Sequence, residues 1–352
     1  MSIDKLTDQI GEWLRGEGPY SDVVISSRIR LARNISGHPF LSKASESDRR
    51  QIYRTICDCI TSPGVVEDAL VFDMESVEDL DRQVLVERHL ISRQHADGEG
   101  ARGVAVSRGE RLAIMINEED HLRIQALRSG LQIGVLYEEI SKLDGQLDRQ
   151  VEFAFDKQYG FLTACPTNVG TGMRVSVMLH LPALKITSQI EHLFRAAKDM
   201  RLAVRGLHGE GTDAIGDFFQ ISNQVTLGKT EDELVEEFGS EIIPKIVSYE
   251  VAAREALLNE RTSLLDDKIW RAYGALGNAR TISSDESLFL LSHVRMGVSM
   301  GRCKDLDLTK VNEMFIRSQS AHLQKLSGRR LDGAERSVAR ADFLRSMLTS
   351  RN

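Results

Sequence analysis

Phe161-Leu-Thr-Ala-Cys165-Pro166-Thr167-Asn168-Val169-Gly170-Thr171-Gly172-Met173-Arg174 is the stretch on which the reading of this chain turns. An apolar, β-prone run ends at a cysteine. A Pro-Thr-Asn-x-Gly-Thr-Gly turn follows, and an arginine then opens a second β-like run, Val175 to Leu181. Proline fixes φ at one point of such a reversal, while Asn and Gly accept φ > 0 at others. The segment reads as a loop that presents one thiol and one guanidinium from the ends of two strands. A hairpin with an ordinary buried cysteine would carry much the same residues. Other stretches decide between the two.

Upstream, Ser26-Ser27-Arg28-Ile29-Arg30-Leu31 follows a Val-Val-Ile strand start. In extended chain Arg28 and Arg30 leave from one face. Two adjacent like charges repel, and an anion between them removes the conflict; the arginine fork suits phosphate. A second stretch, Ile116-Asn117-Glu118-Glu119-Asp120-His121-Leu122-Arg123, reads as a strand end, an acidic cluster and a helix start. Asn117 is the candidate N-cap, with Glu119 and Arg123 four apart on one helical face. A third, Arg205-Gly206-Leu207-His208-Gly209-Glu210-Gly211, leaves the end of a Leu202–Val204 strand and sets Glu210 between glycines, as a mobile functional loop would.

The 352 residues allow two or three domains. Of these, 41% are hydrophobic and 28% charged, which describes a soluble globular chain. No apolar run approaches a membrane span, and no signal peptide opens the chain. Cys57, Cys59, Cys165 and Cys303 fit neither a zinc pattern nor a disulfide framework, so a cytoplasmic setting is expected. A net charge of −7 argues against direct nucleic-acid binding.

Helices are expected over residues 1–20, Ser45–Thr61, Asp79–Ile91 (with His89 at its C-terminal end), Gly134–Leu147 and Ser188–Met200. Strands are expected over Ala69–Phe72, Gly103–Ser107, Leu112–Ile116 and Phe218–Ser222. From about Thr230 strand patterns vanish. Thr230-Glu-Asp-Glu233 and Ser283-Ser-Asp-Glu286 are capping-box patterns, and residues 250–352 read as an all-α domain behind a mixed domain of 1–249.

Arg28, Arg30, Arg123, Arg174 and Arg205 outnumber Glu119 and Glu210. Their natural guest is a triphosphate with its Mg²⁺. No Gly-x-x-x-x-Gly-Lys loop or His-Arg-Asp loop is present. The two glutamates suit a guanidinium acceptor, each through a bidentate pair. Glu119 or Glu210 would take its proton as the N–P bond forms, with Cys165 as a third anion.

Ser26-Ser-Arg-Ile-Arg30, Asn117-Glu-Glu-Asp-His-Leu-Arg123, Cys165-Pro-Thr-Asn-x-Gly-Thr-Gly-x-Arg174 and Arg205-Gly-x-x-Gly-Glu210 together resemble the signatures of the phosphagen (guanidino) kinases, in the same order. The resemblance implies an α+β catalytic domain with an antiparallel sheet flanked by helices, followed here by the all-α domain. It implies Glu119, Glu210 and Cys165 as catalytic residues. It implies ATP contacts from Ser26, Ser27, Arg28, Ile29 and Arg30; from His89 and Arg123; from Arg174, Val175, Ser176, Val177 and Met178; and from Arg205, Gly206, Leu207, His208, Gly209 and Glu210. Mg²⁺ would come with ATP rather than on protein side chains.

Kinases of free creatine or arginine carry a helical N-terminal cap of about a hundred residues by that resemblance, whereas only 25 residues precede Ser26 here. An uncapped site admits an arginine still attached to a protein, and the chain is similar along its length to the bacterial protein-arginine kinases of the family. A kinase of free arginine or another small guanidino compound is the alternative. The first reading implies a CtsR-like repressor and misfolded proteins as substrates, a McsA-like activator, the ClpC–ClpP protease downstream, and a homodimer. It also implies an allosteric phosphoarginine site at Arg336, Ser337, Val338, Ala339, Arg340 and Ala341, where Ser337 replaces the aspartate of that group's motif.

Overall fold

The computed structural model describes residues 3–7, 9–66, 68–206 and 215–349. Its centre is an antiparallel sheet. Ten strands are described: β1 (Val24–Arg33), β2 (Leu70–Asp73), β3 (Gly103–Val106), β4 (Leu112–Ile116), β5 (Leu122–Ser129), β6 (Phe155–Asp156), β7 (Gly160–Phe161), β8 (Met173–His180), β9 (Leu202–Gly206) and β10 (Phe218–Asn223). Eight of them form one sheet in the order β2-β3-β4-β5-β1-β8-β10-β9, and β6 and β7 form a separate short hairpin.

Alternation divides the sheet into two chemically different faces. Ile29, Leu31, Ile124, Val175, Val177 and Ile221 point to one side, into a core shared with the helices Glu46–Thr61 and Ile133–Asp148. Their neighbours in sequence point to the other side and are largely polar: Arg28 and Arg30, Arg123 and Gln125, Arg174 and Ser176. That second face is covered at both ends. At the β2–β4 end the helix Asp79–Glu87 packs on Val104, Val106 and Met115. At the β8–β10 end Met178 and Phe218 pack against Leu288, Leu291 and Phe315 of the C-terminal helices. The uncovered middle is the arginine face.

The C-terminal part comprises the helices Ile243–Glu260, Thr262–Asn278, Ser284–Ser299, Leu308–Arg317, Ser320–Leu326 and Gly333–Thr349. Polar groups tie it to the sheet. Arg295, fully buried, donates to the carbonyls of Ser21 (2.7 Å) and Asp22 (2.8 Å) ahead of β1 and to Asn312 Oδ1 (3.1 Å). Burial pushes its guanidinium down to about 9, with the Arg254 charge adding to the effect and Asp22 opposing it. Glu250 Oε1 and Oε2 accept from the Ala183 and Leu184 amides at a helix N-terminus, where a carboxylate suits the dipole.

Several local expectations fail for identifiable reasons. The Asn117–Arg123 segment is a hairpin turn. Asn117 has φ +58°, its amide donates to the His121 carbonyl (2.9 Å), and β5 begins at Leu122. The period-2 pattern of Leu122, Ile124 and Ala126 outweighs the capping pattern, so Asn117 caps no helix. The Phe161–Cys165 run is not a strand beyond Phe161, and Pro166–Asn168 is a 3-10 turn. Residues 1–20 do not form one helix: Asp4–Thr7 and Glu12–Leu14 are separate turns. Extended Gly11 parts them where a Cβ would stand 2.4 Å from Glu110 Oε2. The helix from Asp79 stops at Glu87, leaving His89 beyond it at φ +58°. A short helix, Arg93–Asp97, follows before β3. Thr230 and Glu233 form the full capping box, whereas Ser283 caps only the Glu286 amide.

Replacing Arg295 with methionine should remove three or more buried hydrogen bonds, leave the Ser21 carbonyl unpaired and leave the Asp22 carbonyl to the longer contacts of Arg254, at a cost of about 2–4 kcal/mol. Urea denaturation of the whole chain measures it.

Candidate functional site

The strand register brings the arginines together. Arg30 stands opposite Arg174 across the β1–β8 pair, Arg28 opposite Ser176, and Ala32 opposite Arg123 across β1–β5. Arg205 stands opposite Gln220 across β9–β10. Directly opposed positions have Cβ atoms about 5 Å apart. Guanidinium groups held at that spacing would repel by about 3 kcal/mol at an effective dielectric near 20.

The environments of the arginines carry that stress. Burial and the charges of Arg123, Arg174 and Arg205 push the Arg28 guanidinium down to about 9. Burial, Arg28, Arg123 and Arg174 push Arg30 well below its ordinary value, with Glu118 the opposing charge. Side-chain hydrogen bonds order the group. Arg28 Nη2 donates to Gln220 Oε1 (2.6 Å) and Nε to Ser176 Oγ (3.3 Å), while Arg174 Nε donates to Ser222 Oγ (3.3 Å). Arg30 Nε is sealed from solvent and has no partner among the described residues. The face opens into a cavity of about 570 Å³ whose lining includes Arg28, Arg30, Arg123, Arg205 and His89. An unpaired buried donor among crowded cations is an invitation to an anion.

The acidic turn lies beside this cavity. Arg123 Nη1 lies 2.8 Å from both oxygens of Glu118, which also accepts from Ser92 Oγ (2.6 Å). Burial pushes the Glu118 carboxyl up, but Arg123 and the hydrogen bonds from Ser92, Arg123 and the Glu119 amide more than offset it and hold the group below the usual range. Glu118 is thus the tether of Arg123, a role that the helical reading gave no residue. Glu119, half-buried, is the acid of the turn with no side-chain partner among the described residues. Burial first, then the Asp120 and Glu118 charges, push its carboxyl up, against Arg123. A raised carboxylate is a better proton acceptor for a bound guanidinium than an ordinary one.

Asp120 connects this turn to the cysteine loop. Its Oδ1 accepts from Asn34 Nδ2 and from the Ala164 amide, each at 2.6 Å. The half-buried Cys165 follows that amide by one residue and is tied through it to the acidic turn, with Sγ 3.0 Å from Thr167 Oγ1. The glycines of the loop are required by close approaches. At Gly170 (φ +113°) a Cβ would stand 2.5 Å from the Thr226 carbonyl oxygen, and at Gly172 (φ +63°) 2.7 Å from that of Ala32. Arg33 holds the loop from behind. It lies over the Phe161 ring at 3.5 Å, donates to the Thr171 carbonyl (2.8 Å) and pairs with Asp144 (2.8 Å).

The other expected residues fall into three groups. Ser26 lines the same cavity region as Arg28, Ser176 and Met178, whereas Ser27, Ile29, Val175 and Val177 turn into the core. What the last three contribute is the spacing of the polar side chains between them. His89 lies edge-on to Trp13, 5.1 Å between ring centres, at the cavity wall. Gly206 ends β9, and Leu207, His208, Gly209 and Glu210 lie outside the described residues. Arg88, next to His89, is buried and paired with Glu110. In the last helix the buried Arg340 donates to the carbonyls of Ser318 (2.8 Å) and Ile282 (3.0 Å), and Arg336 donates to that of Leu331 (2.7 Å). Ser337 Oγ donates to the Gly333 carbonyl, Val338 is exposed, Ala339 is half-buried and Ala341 is buried. Trp13, Gln220, Glu118 and Asp120 were not singled out from sequence. Only the Phe218-Gln220-Ser222 alternation and the density of acids at 118–120 hinted at them.

Residues 52–253 match the family model "ATP:guanido phosphotransferase, C-terminal catalytic domain", and residues 262–352 match "Protein-arginine kinase McsB C-terminal domain". The protein-arginine kinase of Symbiobacterium thermophilum is 45% identical over 344 residues, 96% of each chain. That of Halothermothrix orenii is 41% identical over 98% of each. Among solved structures, the duplicated taurocyamine kinase of Schistosoma mansoni with bound transition-state analogue components superposes with a TM-score of 0.62 at 27% identity, over 67% of this chain and 34% of that one. A lombricine kinase gives a TM-score of 0.60 at 25% identity over 71% of each.

Two outcomes are expected. Asp120→Ala should leave Asn34 Nδ2 and the Ala164 amide unpaired, costing about 2–4 kcal/mol in urea unfolding, while Asp120→Asn keeps the accepting oxygen and loses less. Because the Glu119 pKa is raised by folding, its ionised form weakens the fold. Glu119→Gln should therefore gain stability over the parent as pH rises through that pKa, and show no such gain below the ordinary carboxylate range. Denaturation curves between pH 3 and 8 read this out.

Proposed function

Because the chain belongs to the ATP:guanido phosphotransferase family, and within it to the protein-arginine kinases, we propose that it transfers the γ-phosphate of ATP to arginine side chains of other proteins. The observation that carries this reading is the arginine face itself: crowded cations, one with a buried Nε that has no partner among the described residues, opening beside an acidic turn.

Arg28, Arg30, Arg123, Arg174 and Arg205 receive the triphosphate, whose roughly four negative charges offset their mutual repulsion. Mg²⁺ on the phosphate oxygens supplies further charge neutralisation. Glu119 and Glu210 hold the incoming guanidinium by bidentate pairs. One of them removes a proton from the attacking nitrogen; the N–P bond forms, the bond from phosphorus to the β–γ bridging oxygen breaks, and ADP leaves. Cys165 adds a third negative group beside the guanidinium. Glu118 does no chemistry; it keeps Arg123 from collapsing onto Glu119.

In the cell, we assign the enzyme to the bacterial cytoplasm. There it works as a homodimer, assisted by a McsA-like activator, and marks a CtsR-like repressor and misfolded proteins for ClpC–ClpP in the stress response. A phosphoarginine sensor at Arg336–Ala341 belongs to the same proposal. It requires Arg340 to exchange its carbonyl partners for a phosphate.

Incubation with Mg-ATP and an arginine-rich protein should yield phosphoarginine, detected by mass spectrometry without acid treatment. Glu119→Gln and Glu210→Ala should each lower the rate by about 10² or more. Phosphate found only on free arginine or another small guanidino compound would replace this reading with the small-molecule one.

A further inference from the structure

The cavity above the arginines, about 570 Å³, is lined beyond them by residues of the C-terminal helices. Its cationic end is built by the sheet. Its far end has two sides: Met178, Phe218 and Gln220 come from β8 and β10, while Ser284, Leu288 and Phe315 come from the helices Ser284–Ser299 and Leu308–Arg317. Phe218 and Phe315 meet edge-to-face at 4.7 Å, so the floor of this end is the seam between sheet and helices. Trp13 and His89 stand at the side. Mostly apolar walls with a few polar groups are what a flat heteroaromatic base requires. Gln220 links the two ends, because the same side chain that accepts from Arg28 Nη2 borders the apolar region.

We propose that the C-terminal helical part completes the nucleotide site by covering the nucleoside end of the bound triphosphate. The proposal rests on the ATP reading above and adds to it. The matched catalytic-domain model ends at residue 253, and every helical residue of this wall lies within 262–352; Trp13 lies ahead of residue 52. The cover is thus built by chain outside the segment that the guanidino-kinase catalytic model spans.

One mechanical consequence follows from the packing. The helix Ser284–Ser299 also supports the chain that leads out of the Glu210 segment. Ser292 Oγ donates to Asp217 Oδ2 at 2.8 Å, and Gly216, at φ +74°, lies so close that a Cβ there would be 2.9 Å from the Leu288 carbonyl oxygen. The nucleoside wall and the chain at Gly216 and Asp217 then share one helix as their support.

Ser284 and Gln319 are half-buried and line the cavity from its helical side, so Ser284→Trp and Gln319→Trp fill that side. Isothermal titration of the full chain with Mg-ATP and with inorganic triphosphate separates the two ends. The parent chain should bind ATP more tightly than triphosphate. Both variants should weaken ATP about ten-fold or more and change triphosphate by less than about two-fold. If the variants bind ATP like the parent, the helical cover is wrong while the nucleotide reading stands. If both ligands weaken equally, the helices act on the fold rather than on the nucleoside, and the proposal also fails. If the parent binds triphosphate but gains nothing from the nucleoside, the ATP reading itself fails.

Discussion

Like charges held together on one face of a sheet are the constraint on which this structure depends. An isolated chain would separate Arg28, Arg30, Arg123, Arg174 and Arg205. Here β1 is fixed between β5 and β8, and the side chains that alternate with the arginines are buried in the main core. Turning Arg28 and Arg30 away would require Ile29 and Leu31 to leave that core, and burying each such side chain contributes about 1.5–3 kcal/mol. Hydrophobic burial on one side of the sheet thus offsets electrostatic conflict on the other. The conflict is available to a polyanion, which removes it on binding. A chain of net charge −7 can in this way hold a strongly positive pocket.

A second requirement is to bring acids close to those cations without letting them neutralise the pocket. The 117–121 turn divides the work. Glu118 is spent on Arg123 and Ser92 and Asp120 on Asn34 and the Ala164 amide, which leaves Glu119, its affinity for a proton raised, without a side-chain partner among the described residues. Three consecutive acids of similar chemistry therefore have three different tasks, and hydrogen-bond partners far away in sequence decide which has which.

The helices after residue 250 are more than an appendage. Arg295 and Arg254 fix the chain just before β1 through the Asp22 carbonyl, and Phe315 and Leu288 continue the core over Met178 and Phe218. Any motion of these helices therefore reaches both the base of β1 and the wall of the nucleotide cavity.

Much of this was legible in the order of residues. Alternation marked β1, β4, β8, β9 and β10, the helical period marked Glu46–Thr61 and Ile133–Asp148, and four motifs named the chemistry of the arginines and glutamates. The errors were local ties: at 117–123 a capping pattern and a strand pattern overlap, and long-range pairing of β5 with β1 chose the strand. Asp120, Gln220, Trp13 and Arg33 were invisible for another reason. Their partners lie far along the chain, as between Asn34 and Asp120 or Arg28 and Gln220, and no local period records such a contact. The sequence by itself determined which side chains share a strand face and what chemistry they bring, because backbone geometry makes alternation a local property. Only the tertiary structure decided that five arginines share one face of the sheet, which acid of the turn stays free, and that helices from the other end of the chain form the far wall. Those outcomes depend on strand register and on packing between distant segments, both of which exist only once the chain has folded.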